Sequence, residues 1–372
     1  MSNPGKCRGW LVKSEAPQWS PDAITLSTTI NVPTPSTYQV RIRVHFAGVN
    51  TMDGMRVSFP RRKKKPFAIV GEESEYAGEP LSKLYHPVLN YSYPRVVGGS
   101  GSGIIESVGK DAAQYFHVGE YVTFCSHMAP SYGGSFCEYA LVDMEGIVKI
   151  PETETKEPIM SLAEAAAIPA AVWPAYIALF DKLRIEAGHS IFIDNGASGI
   201  GAAAVQLAHS CGVVVIAACD TKDTEFVKSL GAQAVLNSQL GDKLIDTVLH
   251  LTNGCGVDGF LSVSDRTDAE TFSDVVRFGG ALCLTNSLIV SQSSTLFTRQ
   301  LSVHYVFLDG LYEHPVSLDQ LSYVGAQVLD LWKRKAFAMH VTEVPLEEGA
   351  KSLDAVMQGE PPQGDTVLKM TS

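Results

Sequence analysis

Residues 196 to 201 read Gly-Ala-Ser-Gly-Ile-Gly, and glycines at this spacing let a backbone turn tightly and come close to a pyrophosphate. Gly196 and Gly199 would make the turn and the close approach. Gly201 would let a helix pack against a strand, and the helix N-terminus would offer free N–H groups and the positive end of its dipole. Ser198 stands where the second glycine of G-x-G-x-x-G would be; it is small, and its hydroxyl can donate to a phosphate. Asp220 follows Gly201 by 19 residues, close to where an acid binds the ribose 2′-hydroxyl of NAD, and Lys222 beyond it could meet the 2′-phosphate of NADP. The chemistry these residues suggest is the binding of a dinucleotide.

The surrounding elements suit that task. The apolar run Ile191-Phe-Ile193 precedes the glycines, an alanine-rich helical pattern runs from Ala202 to Ser210, and a β-branched run from Val213 to Ile216 follows. Strand, turn, helix and strand in that order make a βαβ unit of about 30 residues. Further strands are expected at Ala234–Leu236, Gly259–Val263 and Ala281–Thr285, alternating with helices, as in a parallel sheet covered on both faces. The first 160 residues differ. Gln39–His45 alternates with period two, and Gly103–Gly109, Glu120–Cys125 and Phe136–Val142 are short strands among glycine turns, which suggests a compact barrel-like domain. Ser161–Ile168 is strongly helical and marks the change. Leu318–Lys335 reads as an amphipathic helix, and Thr366–Met370 as a last strand. The fold class expected is α/β with a β-rich companion domain.

The length of 372 residues suggests two or three domains, and a net charge of −11 argues against a nucleic-acid or membrane-surface binder. No run approaching ~18 uninterrupted apolar residues is read, so no membrane span is expected. Met1-Ser-Asn-Pro-Gly-Lys6 lacks the layout of a secretory signal, and seven scattered cysteines read as small buried hydrophobes in a reducing compartment. A cytoplasmic protein is expected. Arg61-Arg-Lys-Lys-Lys65 and the Pro66–Tyr93 stretch fit neither domain; they are open to two readings, a solvated insertion or a loop that shapes a pocket.

Several blocks together resemble the medium-chain dehydrogenase/reductase superfamily, in its zinc-independent, quinone-oxidoreductase-like and enoyl-reductase-like branch. They are Ala47-Gly-Val-Asn-Thr-Met-Asp53, the run from Tyr93 to Gly109, Glu164-Ala-Ala-Ala-Ile-Pro169, Ala175–Phe180, the glycine turn, and Val227-Lys-Ser-Leu-Gly-Ala232. The resemblance covers nearly the whole chain outside residues 60–92. It implies a GroES-like catalytic domain from residues 1–162 and 311–372, with a Rossmann domain, 163–310, inserted between them and the active site in the cleft. It also implies a homodimer joined through edge strands of the Rossmann sheets.

Zinc is not expected. Asn50 stands where related alcohol dehydrogenases carry a zinc-binding cysteine, and Gly99 and Ser100 stand where they carry a histidine and a glutamate. No C-x2-C spacing occurs either. Three departures from the zinc-free pattern are visible. Ser100 replaces an aspartate, Pro174 replaces a threonine, and Asp365, in Gly364-Asp-Thr-Val, stands where the family tends to have lysine.

The activity implied is hydride transfer from NADPH to a small-molecule quinone, enone or enoyl thioester. Asn50 is the expected donor to the carbonyl oxygen on which charge develops. Asp53 is expected to hold the loop, and Tyr139 is a candidate proton source, with water as the alternative. Ile200, within the glycine turn, and Asn286 join the expected cofactor set. The short helix before Gly231 favours NADPH, with NADH as the other candidate. Two further readings stay open: a biosynthetic enzyme of the same fold acting on a polyketide or terpenoid intermediate without net redox change, and an NADPH-binding sensor without turnover. A short-chain dehydrogenase is excluded, because no tyrosine has a lysine four residues after it.

Overall fold

Val40, Ile42 and Val44 are fully buried, while Arg41, Arg43 and His45 lie on the opposite face. This is the two-residue period of a strand with one apolar side. The computed structural model describes residues 5–14, 16, 18–57, 92–127, 130–241, 243–264, 271–285, 294–312, 317–360 and 362–370. Nearly all of the 60–92 segment, and Asn286, lie outside the described residues.

Strands β1 (Lys6–Val12), β2 (Ile24–Asn31) and the short β4 (Arg95–Val96) form one antiparallel sheet. A second sheet is built on β3 (Gln39–Val49), which leads into the short helix α1 (Thr51–Val57). Its other strands are β5 (Ser100–Val108), β6 (Tyr121–Cys125), β7 (Tyr139–Asp143), β8 (Ile147–Lys149), β15 (Val341–Pro345) and β16 (Asp365–Lys369). The order is β15-β16-β3-β5-β6-β8. One edge of β3 is shared: β7 takes Gln39 to Arg43, and β16 takes Phe46 to Val49. The end of the chain therefore completes a sheet that its beginning starts.

The middle of the chain makes a third sheet from β9 (Ser190–Ile193), β10 (Val214–Cys219), β11 (Ala234–Asn237), β12 (Val257–Ser262), β13 (Val276–Leu284) and β14 (Ser302–Tyr305). All its pairings are parallel, in the order β11-β10-β9-β12-β13-β14. This is the doubly wound Rossmann order, and the direction of winding reverses between β9 and β12, where such sheets open a crevice for ligands. Ile191 and Ile193 pack to one side and Phe192 to the other, against Phe260 and Phe272, so both faces of β9 are buried.

Between the sheets lies α2 (Leu162–Tyr176). Ser161 caps it by accepting from the Glu164 N–H, while Glu164 accepts from the Ser161 N–H. The helix runs beyond the expected Ser161–Ile168 through Pro169 and Pro174 and ends in wide π-type turns over Ile177–Lys182. Leu162–Lys182 contains an 18-residue window with a mean hydropathy of 1.5, long and apolar enough by composition to span a bilayer, although the segment also carries Glu164, Asp181 and Lys182. It is 78% buried within the fold and packs on β3, β5, β6 and α3 (Gly199–Ser210), so it is a core helix. Fully buried Trp173 joins it to the Rossmann core.

Candidate active site

Asn50 follows the last residue of β3, whose register against β5 and β16 fixes where it stands. Its backbone N–H donates to Asp53 Oδ2 at 3.0 Å, and its carbonyl accepts from the Asp53 N–H at 3.1 Å. Asp53 is wholly buried and also accepts from the Gly99 backbone N–H, so one carboxylate ties the Asn50 turn to the start of β5. Burial pushes the Asp53 carboxyl up to about 7, against the pull of Arg56 and of its two backbone donors. Asp53 therefore positions Asn50.

Asn50 opens onto a cavity of about 60 Å³ between the GroES-like and Rossmann sheets. Met52, Arg56, Gly99 and Cys125 line it from one side, Pro169, Ala170 and Pro174 of α2 from a second, and Ile200 and Thr285 from the Rossmann side. Sequence reasoning missed the buried charges behind it. Arg56 lies 3.7 Å from Asp53 Oδ1 and pairs with Asp309, and Arg95 donates to the Arg56 carbonyl. Two arginines and two aspartates, all nearly inaccessible, thus lie together behind the cavity. Tyr312 donates from its hydroxyl to the Cys125 carbonyl at 2.6 Å and stacks on His127. Arg56, three residues after Asp53 on α1, was the one visible signal; Arg95 and Asp309 come from distant segments.

Tyr139 is not brought to this group. It starts β7 beside Arg43 of β3, with Arg41 over its ring at 5.9 Å, and burial followed by nearby Glu106 raises its pKa. The expectation of Tyr139 as a proton source is therefore corrected on geometry. His45 lies along β3 with its Nδ1 against the Arg43 carbonyl.

On the Rossmann side, the turn after β9 delivers the chain to α3. Ser198 is the N-cap: its Oγ accepts from the Gly201 N–H at 3.1 Å and donates to the Asn195 carbonyl at 2.9 Å. The hydroxyl is thus spent on the turn and not left for a phosphate, a different role from the one expected. A side chain at Gly201 would collide with the Asn195 carbonyl, so the close helix–turn packing does require glycine. The N–H groups of Gly199 and Ile200, in the first turn of α3, have no acceptor within the helix, as an anion site at a helix start requires. The cradle fits a dinucleotide.

Asp220 comes directly after the end of β10. Its carboxylate accepts from Ser238 Oγ at 2.6 Å and from Gln239 Nε2 at 3.5 Å. Lys222 is exposed on the next turn and lines an open groove of about 810 Å³ with Phe226, His340 and Glu343. Asn286 lies outside the described residues. Among the described residues no group of three or more His, Cys, Asp or Glu side chains could hold a metal ion. Asn50, Gly99 and Ser100 offer no thiolate, imidazole or carboxylate and so do not fit zinc.

The description "Alcohol dehydrogenase GroES-like domain" matches residues 36–152, and "Zinc-binding dehydrogenase" matches residues 199–311. Human quinone oxidoreductase is 27% identical over 268 residues, 72% of this chain and 70% of that protein. Among solved structures, the CurK enoyl reductase superposes with a TM-score of 0.78 at 20% identity, covering 99% of this chain and all of the other. A mycobacterial protein complexed with NADPH superposes with the same score at 18% identity, covering 98% and 99%.

Proposed function

This chain belongs to the medium-chain dehydrogenase/reductase superfamily, in its quinone-oxidoreductase-like and enoyl-reductase-like branch, and we propose that it is an NADPH-dependent reductase that delivers hydride to an activated double bond without zinc. Quinones, enones and enoyl thioesters are the substrate class. The observation that carries this reading is Asn50, held by a buried carboxylate, facing Ile200 of the nucleotide cradle across a single narrow cavity.

When bound, NADPH supplies the hydride. The chain's own residues do the rest. The Asn50 amide donates to the carbonyl oxygen as charge develops on it, a contribution of about 3 kcal/mol in a dry site. Pro169, Ala170, Pro174 and Val306 give the cavity apolar walls. Of the described lining residues, Cys125, pushed up to about 12 by burial, and Arg56 are poor acids at neutral pH, so the proton for the second carbon comes from water. Asp220 is committed to Ser238, and Lys222 is free to face a 2′-phosphate, which favours NADPH over NADH.

One observation supports a narrower reading within this fold. Pro174 lines the cavity, the Ser100 hydroxyl lies buried beside Gly48, and Asp365 abuts the cradle, so all three departures from the family pattern gather at the site. Such retooling suits a biosynthetic enzyme acting on a polyketide or terpenoid intermediate. The test is NADPH titration followed by turnover against quinones, enones and short enoyl thioesters, on protein assayed for zinc. Turnover of one class, with NADPH consumed one for one and no stoichiometric zinc, is the expected result. Tight binding without turnover would move the weight to the biosynthetic reading or to an NADPH-binding sensor, and NADH binding tenfold tighter than NADPH would overturn the cofactor choice.

A further inference from the structure

Resting on the reading of the Gly196–Gly201 turn as a dinucleotide cradle, we propose that Asp365 is a built-in anion at that cradle, which must take up a proton before α3 can receive a pyrophosphate. Asp365 thereby sets the cofactor affinity and makes it rise as pH falls.

The placement is close. A side chain at Gly199, the first residue of α3, would collide with Asp365 Oδ1, and it would also come within 3.4 Å of Ala171 Cβ. The carboxylate therefore lies against the helix start, where the charge of a diphosphate would fall. Its backbone is fixed on both sides. Asp365 opens β16, its N–H donates to the His340 carbonyl at 2.7 Å, and the next residue, buried Thr366, is paired with Val49. Among the described residues the carboxylate makes no hydrogen bond, not even to the helix N–H groups it adjoins.

Burial alone pushes its carboxyl up to about 7. The titratable side chains on the elements around it are Glu164 at the start of α2, His340 and Glu343 alongside, and Lys369 further along β16, and none of them contributes to that shift. On α3 the first turn carries none. When ionised, Asp365 meets the pyrophosphate as a like charge at short range in a poorly solvated place; when protonated, it can donate to a phosphate oxygen. A lysine at this position would act in the opposite sense, so the substitution changes the sign of the local field.

The test is calorimetric titration of the full chain with NADPH between pH 6 and 8.5, for the wild type, Asp365→Asn and Asp365→Ser. If only the protonated form binds, a carboxyl near 7 weakens wild-type binding about 30-fold across that range. Both variants should lack this component and bind NADPH more than tenfold tighter than wild type at pH 8.5. Titration of the cofactor's own 2′-phosphate is common to all three proteins and drops out of the comparison. The wild type alone, measured in two buffers of different ionisation heat, should take up close to one proton per NADPH at pH 8.5. Parallel pH profiles with no proton uptake would overturn the role of Asp365 while leaving the cradle intact. Absence of binding by all three proteins at every pH would bring down the cradle reading and this one together.

Discussion

Asn50 illustrates how little of its surroundings one residue needs in order to be placed. Its position is set by strand register, and its turn is locked by Asp53 through two backbone N–H groups. If its amide serves only the developing oxyanion, Asn50→Ala should lower kcat/KM about 100-fold, the equivalent of ~3 kcal/mol, and leave NADPH affinity unchanged. Equal losses in cofactor binding and turnover would instead mark Asn50 as structural. At this scale the sequence was informative only through the resemblance, since an asparagine after an alternating strand has many uses. The Arg56–Asp309 pair was out of reach because its partners stand 253 residues apart, and no local pattern encodes such a meeting. Tyr139 shows the converse: its chemistry suited a proton donor, but register put its ring on the Arg41 face of β3.

The strand–turn–helix–strand unit from Ser190 to Cys219 was the most legible element, because its period, its glycines and its length all agree. Its one surprise was Ser198, which caps α3 where a phosphate contact was expected. Gly201 is where the element is least tolerant. Gly201→Ala would drive a methyl group into the Asn195 carbonyl, so the turn must open. We expect NADPH binding to fall by more than tenfold and the melting temperature to drop, as read by titration and differential scanning calorimetry; an alanine variant with native affinity would refute the tight-packing account. Strands β1, β2 and β15 were not anticipated. Their burial is irregular, with Gly9 and Trp10 of β1 buried side by side, because β1 carries a bulge between Cys7 and Gly9 and β15 is half-buried along most of its length. Period-two reasoning fails at such strands.

For the molecule as a whole, we propose the homodimer that the family resemblance implies, joined at β14. That strand ends the Rossmann sheet, and Tyr305 on it (41% exposed) and Phe297 in the segment just before it (85%) are exposed large apolar side chains. Light scattering should give twice the chain mass, and Phe297→Ser should shift the equilibrium toward monomer; a monomeric wild type at micromolar concentration would exclude it. The two-layer organisation was legible from the change of character at Ser161, whereas the way α2 binds the layers was not, because its prolines disguised one long helix as two fragments. The shared edge of β3 has a consequence in time. During synthesis the strand can pair with β7 once residue 143 has emerged, yet the stretch from Phe46 to Val49 must wait for residues 366 to 369. At the ribosome's pace of about 5–20 residues per second, that half of the edge stays open for roughly 15 to 60 s after its own translation. The Rossmann segment can fold in the meantime. The nascent chain can thus complete the Rossmann sheet and the turn into α3 well before the edge of β3 beside Asn50 is closed, and a stop between residues 311 and 365 would leave that sheet complete beside an open β-edge.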